Sequence, residues 1–299
     1  MSPISQNLAG KVALVTGSSR GIGAATALRL AQHGADVAVN YINSAAAAES
    51  VAEKIRSFGV RAITLKADVS KETDIKAIFE KVMEEFGRLD IVLSNSSIEH
   101  FGSVPTVTEA EIDNILRVNV KGQFFVTQQA YKHLADNGRL ILMSSISAFK
   151  GVPEHAIYAA SKAAIHGMIK CLAYDFGPRG ITVNAIAPGG IKTDMGKEAA
   201  AKYLPGGENM SEAEIDEKMS QWSPLGRPGF PDDVSGVMAL LASPEAQWLT
   251  GQILRFRWRS NELIRLSCEF YGDQKHAIWS WTREIHAAVR VCALHFEQG

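Results

Sequence analysis

Short apolar runs alternate with longer stretches of helical periodicity through the first 254 residues. The apolar or β-branched runs at 12–15, 36–40, 61–66, 91–94, 139–144, 182–187 and 251–254 predict strands. Between them, residues 23–33, 45–58, 72–86, 109–134, 156–176 and 232–242 predict helices. Several strand runs are apolar throughout, as required where both faces of a sheet are covered. The alternation predicts an α/β chain, one doubly wound parallel sheet with helices on both faces, over residues 1–254.

The pattern changes after Leu254. Residues 255–299 hold three of the five Trp and two of the three Cys, with arginine at 255, 257, 259, 265, 283 and 290. Ile278, Trp281, Ile285, Val289, Cys292 and Phe296 fall at three- and four-residue steps, so this tail predicts one amphipathic helix suited to docking or oligomer contact. The competing reading is an altered reading frame or retained intervening sequence, with no part in the fold.

Composition narrows the function classes. A charged fraction of 21% and a net charge of -1 give no electrostatic reason to expect nucleic acid or an anionic membrane as partner. Cys171, Cys268 and Cys292 lack metal-ligand or CxxC spacing and are too few for a disulfide framework, which predicts a reducing compartment and no metal. Residues 1–10 lack a basic start and apolar run, so the expectation is a cytoplasmic chain.

The first predicted strand runs into Thr16-Gly17-Ser18-Ser19-Arg20-Gly21-Ile22-Gly23, where a helix opens. Glycines there permit a tight turn and close approach of backbone N–H groups to a pyrophosphate, beside the positive end of a helix dipole. At a first strand-to-helix turn this predicts a Rossmann-like dinucleotide site. The second strand ends Asn40-Tyr41-Ile42-Asn43-Ser44 without a carboxylate for a ribose hydroxyl. Arg20, with Asn40, Tyr41 and Ser44 as donors, suits a 2′-phosphate instead, so NADP(H) is the expected cofactor. Asp68, at the end of the third strand, is a candidate for the adenine amino group or an ordinary helix cap.

Tyr158 and Lys162 stand four residues apart on a predicted helix and therefore share a face. A cation beside a phenol lowers its pKa, the requirement for a tyrosine acid near neutral pH. Alone, such a pair arises by chance on the order of a third of the time in a chain of this composition. Its position after Ser145 and behind a phosphate loop is what gives it weight.

Together, Thr16-Gly17-x3-Gly21-x-Gly23, Asn95, Asn119, Ser145, Tyr158-x3-Lys162 and Pro188-Gly189-Gly190 resemble the short-chain dehydrogenase/reductase family over about residues 8–254. Val39-Asn40-Tyr41, Ser94-Asn95-Ser96, Gly122-Gln123-Phe124-Phe125 and Ala187-Pro188-Gly189-Gly190 are similar, more narrowly, to fungal reductases of polyketide naphthols and anthraquinones. The resemblance implies Tyr158 as the proton donor to a substrate carbonyl, Lys162 as the cation that keeps it acidic and reaches the nicotinamide ribose, and Ser145 as a donor to the same carbonyl oxygen. It implies that Asn119 binds a water that links Lys162 to solvent and resupplies the proton. Asn95, Pro188, Gly189, Ile191 and Thr193 are expected to line the nicotinamide end. Residues 195–224 have the mixture expected of a substrate lid, with Tyr203, Met210, Met219 and Trp222 as candidate pocket residues or plain lid-core contacts. His155, three residues before Tyr158, is expected to be a solvated loop residue.

Two departures from the resemblance stand out. Ser94-Asn95-Ser96-Ser97 replaces Asn-Asn-Ala-Gly, so the turn after the fourth strand must accept serine in place of glycine. The seventh strand runs into Arg255-Phe256-Arg257-Trp258 instead of Asp-Gly-Gly, which bears on assembly and on closure of the pocket. The expectation is an NADPH-dependent reductase of an aromatic polyketide-type carbonyl, forming a homo-oligomer, tetramer or dimer. A 3-oxoacyl-carrier-protein reductase, or an inactive cofactor-binding variant with an altered tail, is the alternative.

Overall fold

Seven parallel strands form the sheet of the computed structural model, which describes residues 6–256 except 205 and 222. They are β1 (Val12–Val15), β2 (Asp36–Tyr41), β3 (Ala62–Lys66), β4 (Ile91–Ser94), β5 (Arg139–Met143), β6 (Thr182–Ala187) and β7 (Ile253–Arg255). The spatial order is β3-β2-β1-β4-β5-β6-β7. The chain winds outward in one direction from β1 and in the other from β4, which pair at Ala13–Ile91, Leu14–Val92 and Val15–Leu93. This reversal opens a crevice beyond the carboxyl ends of β1 and β4, where ligands of such sheets bind. The expected doubly wound fold is therefore present.

Alternation along each strand builds two cores. Ala13 and Val15 of β1 with Ile141 and Met143 of β5 face α1 (Gly21–Gln32), α2 (Ala45–Arg56) and α9 (Pro231–Ala242), where Leu30, Ile55 and Met238 are buried. Val12, Leu14, Leu140 and Leu142 face the other way, against α3 (Glu72–Phe86), α5 (Gln123–His133) and α6 (Ala156–Phe176) through Phe79, Val126 and Ile169. Each fully buried side chain of this size contributes roughly 1.5–3 kcal/mol relative to exposure. The two cores clamp the sheet and hold its carboxyl edge still.

The continuous helix expected at 109–134 is three elements. The first, α4 (Glu109–Leu116), starts at a Thr108–Glu111 capping box; a π-helical turn over Arg117–Gly122 follows; α5 completes the span. The segment after β6 forms α7 (Asp194–Ala200) and α8 (Glu212–Gln221). Among the described residues no helix is long and apolar enough to cross a membrane. Phe256 N–H bonds to Ala187 O, and Phe256 packs against the core beyond the last strand. The expected amphipathic helix of the tail, with Trp258, Trp279 and Trp281, lies outside the described residues, as does Trp222.

Candidate active site

The glycine loop turns at Gly17 (φ +61) and Gly21 (φ +58), left-handed conformations that suit glycine. A Cβ on Gly23 would run into Gly17 O, so all three glycines are required by shape. The loop is pinned from both sides. Asn95 Nδ2 donates to Thr16 O at 2.9 Å and Gly17 O at 3.1 Å, and Thr16 Oγ1 accepts from Asn95 N and Ser96 N. The first turn of α1 carries no acidic side chain to fill its own N-terminus. A glycine-shaped backbone cradle and a helix N-terminus without an acidic side chain in its first turn fit a dinucleotide pyrophosphate.

Ser19, Ile22, Tyr41 and Asp68 are partly exposed around this loop, and Arg20 and Ser44 are exposed. Arg20 reaches Asp194 at 3.3 Å, a surface pair that water screens. Asn40 differs from its expected role. It is buried, with Nδ2 donating to Tyr41 O, Leu65 O and Ala67 O and Oδ1 accepting from Gly17 N at 3.0 Å. Its amide is consumed in bracing the loop, so it is not a free donor for a 2′-phosphate. Asp68 Oδ1 accepts from Ser70 N at 2.9 Å, and its other oxygen lies 3.9 Å from Lys71, so much of the carboxylate serves the turn into α3. Ser97 adopts an ordinary negative φ, so the turn after β4 accommodates its missing glycine without strain.

Ser145 follows β5 directly, and α6 delivers Tyr158 and Lys162 to the same place, both buried. Lys162 Nζ donates to Met143 O at 3.2 Å and stands 5.6 Å from the centre of the Tyr158 ring. The Ser145 hydroxyl, 3.3 Å from Ser147 Oγ, is the neighbour that lowers the Tyr158 pKa. Ser144, one residue earlier, faces away and donates to Lys162 O. The lowered phenol expected from the sequence is not what burial produces. Desolvation disfavours both charged forms, pushing Tyr158 well above the usual phenol range and Lys162 down to about 7, and the Glu99 charge raises both. Tyr158 is thus held as a protonated phenol, the form that donates.

Asn119 sits in the π turn, fully buried, and its side chain has protein partners: Ile98 O at 2.8 Å, Ser161 Oγ at 3.1 Å and Ile98 N at 2.9 Å. Its side chain links the β4 loop to the helix of Tyr158. Gln123, to which the sequence reading attached no function, grips Met143 through both main-chain groups, Nε2 to O at 3.0 Å and Oε1 from N at 3.1 Å. The carbonyl that receives Lys162 is therefore fixed from the opposite side.

His155 is buried, not solvated. Its Nδ1 bonds His100 O at 2.9 Å, and its ring packs 4.2 Å from Phe101 and 4.5 Å from Tyr158, centre to centre. Burial pushes its pKa down to about 4, so the ring is neutral. Tyr203 hydroxyl bonds Glu99 and lies 3.3 Å from His155 Nε2, while Glu99 stands 3.7 Å from the same nitrogen. Glu99 carried no signal in the sequence reading, because its partners come from two distant segments. Thr193 caps α7 through Gly196 N and borders the glycine loop at Gly21. Pro188 O accepts from Ile146 N, which joins the Pro188–Gly189 turn to the segment of Ser145. Beyond it, a cavity of about 240 Å³ is lined by Gly190, Ile191, Ala200, Ile215 and Met219, its rim carrying the Lys192–Asp216 ion pair. Of the lid candidates, Tyr203 joins the Tyr158 pocket and Met219 lines this cavity.

The family model described as Enoyl-(Acyl carrier protein) reductase matches residues 17–256. A probable tetrahydroxynaphthalene reductase of Zymoseptoria tritici is 50% identical over 83% of this chain and 93% of its own length. Versicolorin reductase stcU of Emericella nidulans is also 50% identical, over 83% of this chain and 94% of its own. Among solved structures, a short-chain dehydrogenase of Burkholderia cenocepacia in complex with NADP is 38% identical, with a TM-score of 0.75 over 84% of this chain and 98% of that one. The landomycin C-6 ketoreductase LanV with bound NADP and rabelomycin is 36% identical, with a TM-score of 0.72 over 84% and 96%. With the doubly wound sheet, the glycine loop and the Ser145, Tyr158 and Lys162 cluster at its carboxyl edge, these likenesses make the chain a member of the short-chain dehydrogenase/reductase family.

Proposed function

We propose that the chain is an NADPH-dependent ketoreductase of aromatic polyketide-type carbonyls, of the hydroxynaphthalene or anthraquinone kind, in fungal secondary metabolism. The observation that carries this reading is a buried, protonated Tyr158 whose pKa the neighbouring Ser145 lowers, Ser145 itself following directly on β5. The named activities of relatives about half identical to it supply the substrate class.

Gly17, Ser19, Gly21, Ile22 and Gly23 would hold the cofactor pyrophosphate, and Arg20, Tyr41 and Ser44 its 2′-phosphate. Asn95, Pro188, Gly189, Ile191 and Thr193 would flank the nicotinamide. Bound there, the reduced cofactor supplies hydride to the carbonyl carbon. Tyr158 gives its proton to the carbonyl oxygen, and Ser145 donates a hydrogen bond to that oxygen as charge develops. Lys162, next to the phenol and held by Met143 O, favours the phenolate that remains. Water is poorly admitted, because Tyr158, Lys162 and Ser145 are all buried. Residues 195–224 act as the lid.

The same reading makes the protein cytoplasmic and a homo-oligomer. Exposed Trp248 and Tyr174 support an assembly surface, and light scattering that returned a strict monomer would exclude it. The activity is tested by following nicotinamide absorbance with trihydroxynaphthalene, tetrahydroxynaphthalene and hydroxyanthraquinone substrates, with NADPH and NADH in parallel. Consumption of NADPH in preference to NADH is expected. Protein that binds NADPH but oxidises it with none of them would sink the substrate class.

A further inference from the structure

On its β4 side, β5 loses its strand partner one residue earlier than on its β6 side. Ser94, the last residue of β4, pairs with Leu142, and the chain then turns to the glycine loop, where Asn95 bonds Thr16 O and Gly17 O. Across the other edge β6 continues, with Ile186 opposite Met143. Ser144 N–H goes to Ile186 O, so the N–H and C=O of Met143, one residue earlier, face the side that β4 has left. A side chain takes that place. Gln123, 1% exposed at the start of α5, sets its carboxamide against Met143, with Nε2 donating to Met143 O at 3.0 Å and Oε1 accepting from Met143 N at 3.1 Å. Its second amide hydrogen goes to Asn119 O at 3.1 Å. These bonds fix which way the carboxamide points, since a flipped amide would set its NH₂ against the Met143 N–H.

A carbonyl oxygen has two acceptor directions, and Met143 O uses both. Gln123 Nε2 takes one, and Lys162 Nζ, at 3.2 Å, takes the other. We propose that Gln123 is a positioning residue of the reaction: its carboxamide stands in for a strand neighbour beside Met143 and so aims the carbonyl that holds the Lys162 ammonium beside Tyr158. The inference rests on the ketoreductase reading and names what sets the place of its cation. Lys162 is buried, with Nζ 5.6 Å from the centre of the Tyr158 ring, so a turn of the Met143 peptide moves the charge relative to the phenol. The glycine loop is braced separately, by Asn40 and Asn95, and does not depend on that peptide. A displacement of about 1 Å at a reacting group costs on the order of 10²-fold in rate. No bond is made or broken at Gln123, which acts through Met143 and Lys162.

The test compares full-length wild type with Q123M and Q123N in the reduction of a ring-hydroxylated tetralone. Q123M keeps the length of the side chain and removes its donor and acceptor, whereas Q123N keeps the amide one methylene short. NADPH-binding sites are counted by fluorescence titration and kcat is expressed per site, so unfolded protein does not enter. Q123M should lower kcat by about 10- to 100-fold, the scale of a misplaced reacting group. Its NADPH Kd and its KM for the ketone should change by no more than about threefold, the split that marks a loss confined to the chemical step. Q123N should fall between Q123M and wild type. A wild-type kcat in Q123M overturns the proposal, as do losses in Kd or KM as large as the loss in kcat, which a merely structural role would give. If Q123M binds no NADPH, Q123N decides: a lowered kcat per site supports the proposal and an unchanged one overturns it. Wild type that binds NADPH yet does not reduce the ketone overturns the ketoreductase reading itself, a failure visible before any variant is made.

Discussion

Tyr158, Lys162 and His155 take their protonation states from burial before any ligand arrives. Each is more stable neutral when water is removed, which keeps the proton on Tyr158, brings Lys162 to about 7 and brings His155 to about 4. For His155 this has a consequence for stability. The unfolded chain takes up a proton on this imidazole near 6.5, the folded chain only near 4, so between those values the unfolded state binds more protons and stability falls as pH drops. A displacement of that size is worth on the order of 3 kcal/mol. Urea denaturation at a series of pH values should therefore show a steeper loss between pH 6.5 and 4 for wild type than for H155Q. Parallel curves would mean that His155 does not titrate in this way. The residue scale also marks where sequence reading stopped. Tyr158, Lys162 and Ser145 were legible because helical spacing and strand order place them together. Glu99, His155 and Tyr203 were not legible as a group, since they come from the β4 loop, the turn before α6 and the segment after α7.

Among the elements, the π turn at Arg117–Gly122 does most to shape the site. Apolar and polar positions run through 109–134 with helical periodicity, so the sequence reads as one helix; the extra residue per turn leaves no mark in that pattern. Its cause is visible only in three dimensions. Asn119 must reach Ile98 and Ser161, and Gly122 must pass close to the turn before α3, where an added Cβ would lie 2.6 Å from Val69 O. G122A should accordingly cost about 1–3 kcal/mol of stability, the usual scale of overpacking against an unyielding neighbour. Gly167, in α6 with nothing within 4 Å of its would-be Cβ, is the control. G167A should be neutral or stabilising by up to about 1 kcal/mol. Thermal or urea unfolding that ranks the two the other way would contradict this account of the turn. The strands, by contrast, were legible to within a residue or two, because buried parallel strands leave continuous apolar runs between turn signals.

At the scale of the whole molecule, the seven described strands, both described cores and the glycine loop lie within residues 6–256. A chain ending at Phe256 keeps every residue named at the cofactor site, and it should bind NADPH as tightly as the full chain in a fluorescence titration. Lost binding would show that residues beyond 256 contribute to the site. The family pattern was legible as a whole because its motifs recur in a fixed order along the chain. The acidic corner of the pocket was not, because that order says nothing about what lies between the motifs. The most direct test of the central claim, that Tyr158 is the proton donor of an NADPH-dependent carbonyl reduction, compares Y158F with wild type on one hydroxynaphthalene substrate. Removing the donor while keeping the ring should lower kcat by at least about 10²-fold, the scale of general acid catalysis, with NADPH affinity retained. Y158F that turns over at the wild-type rate would contradict it.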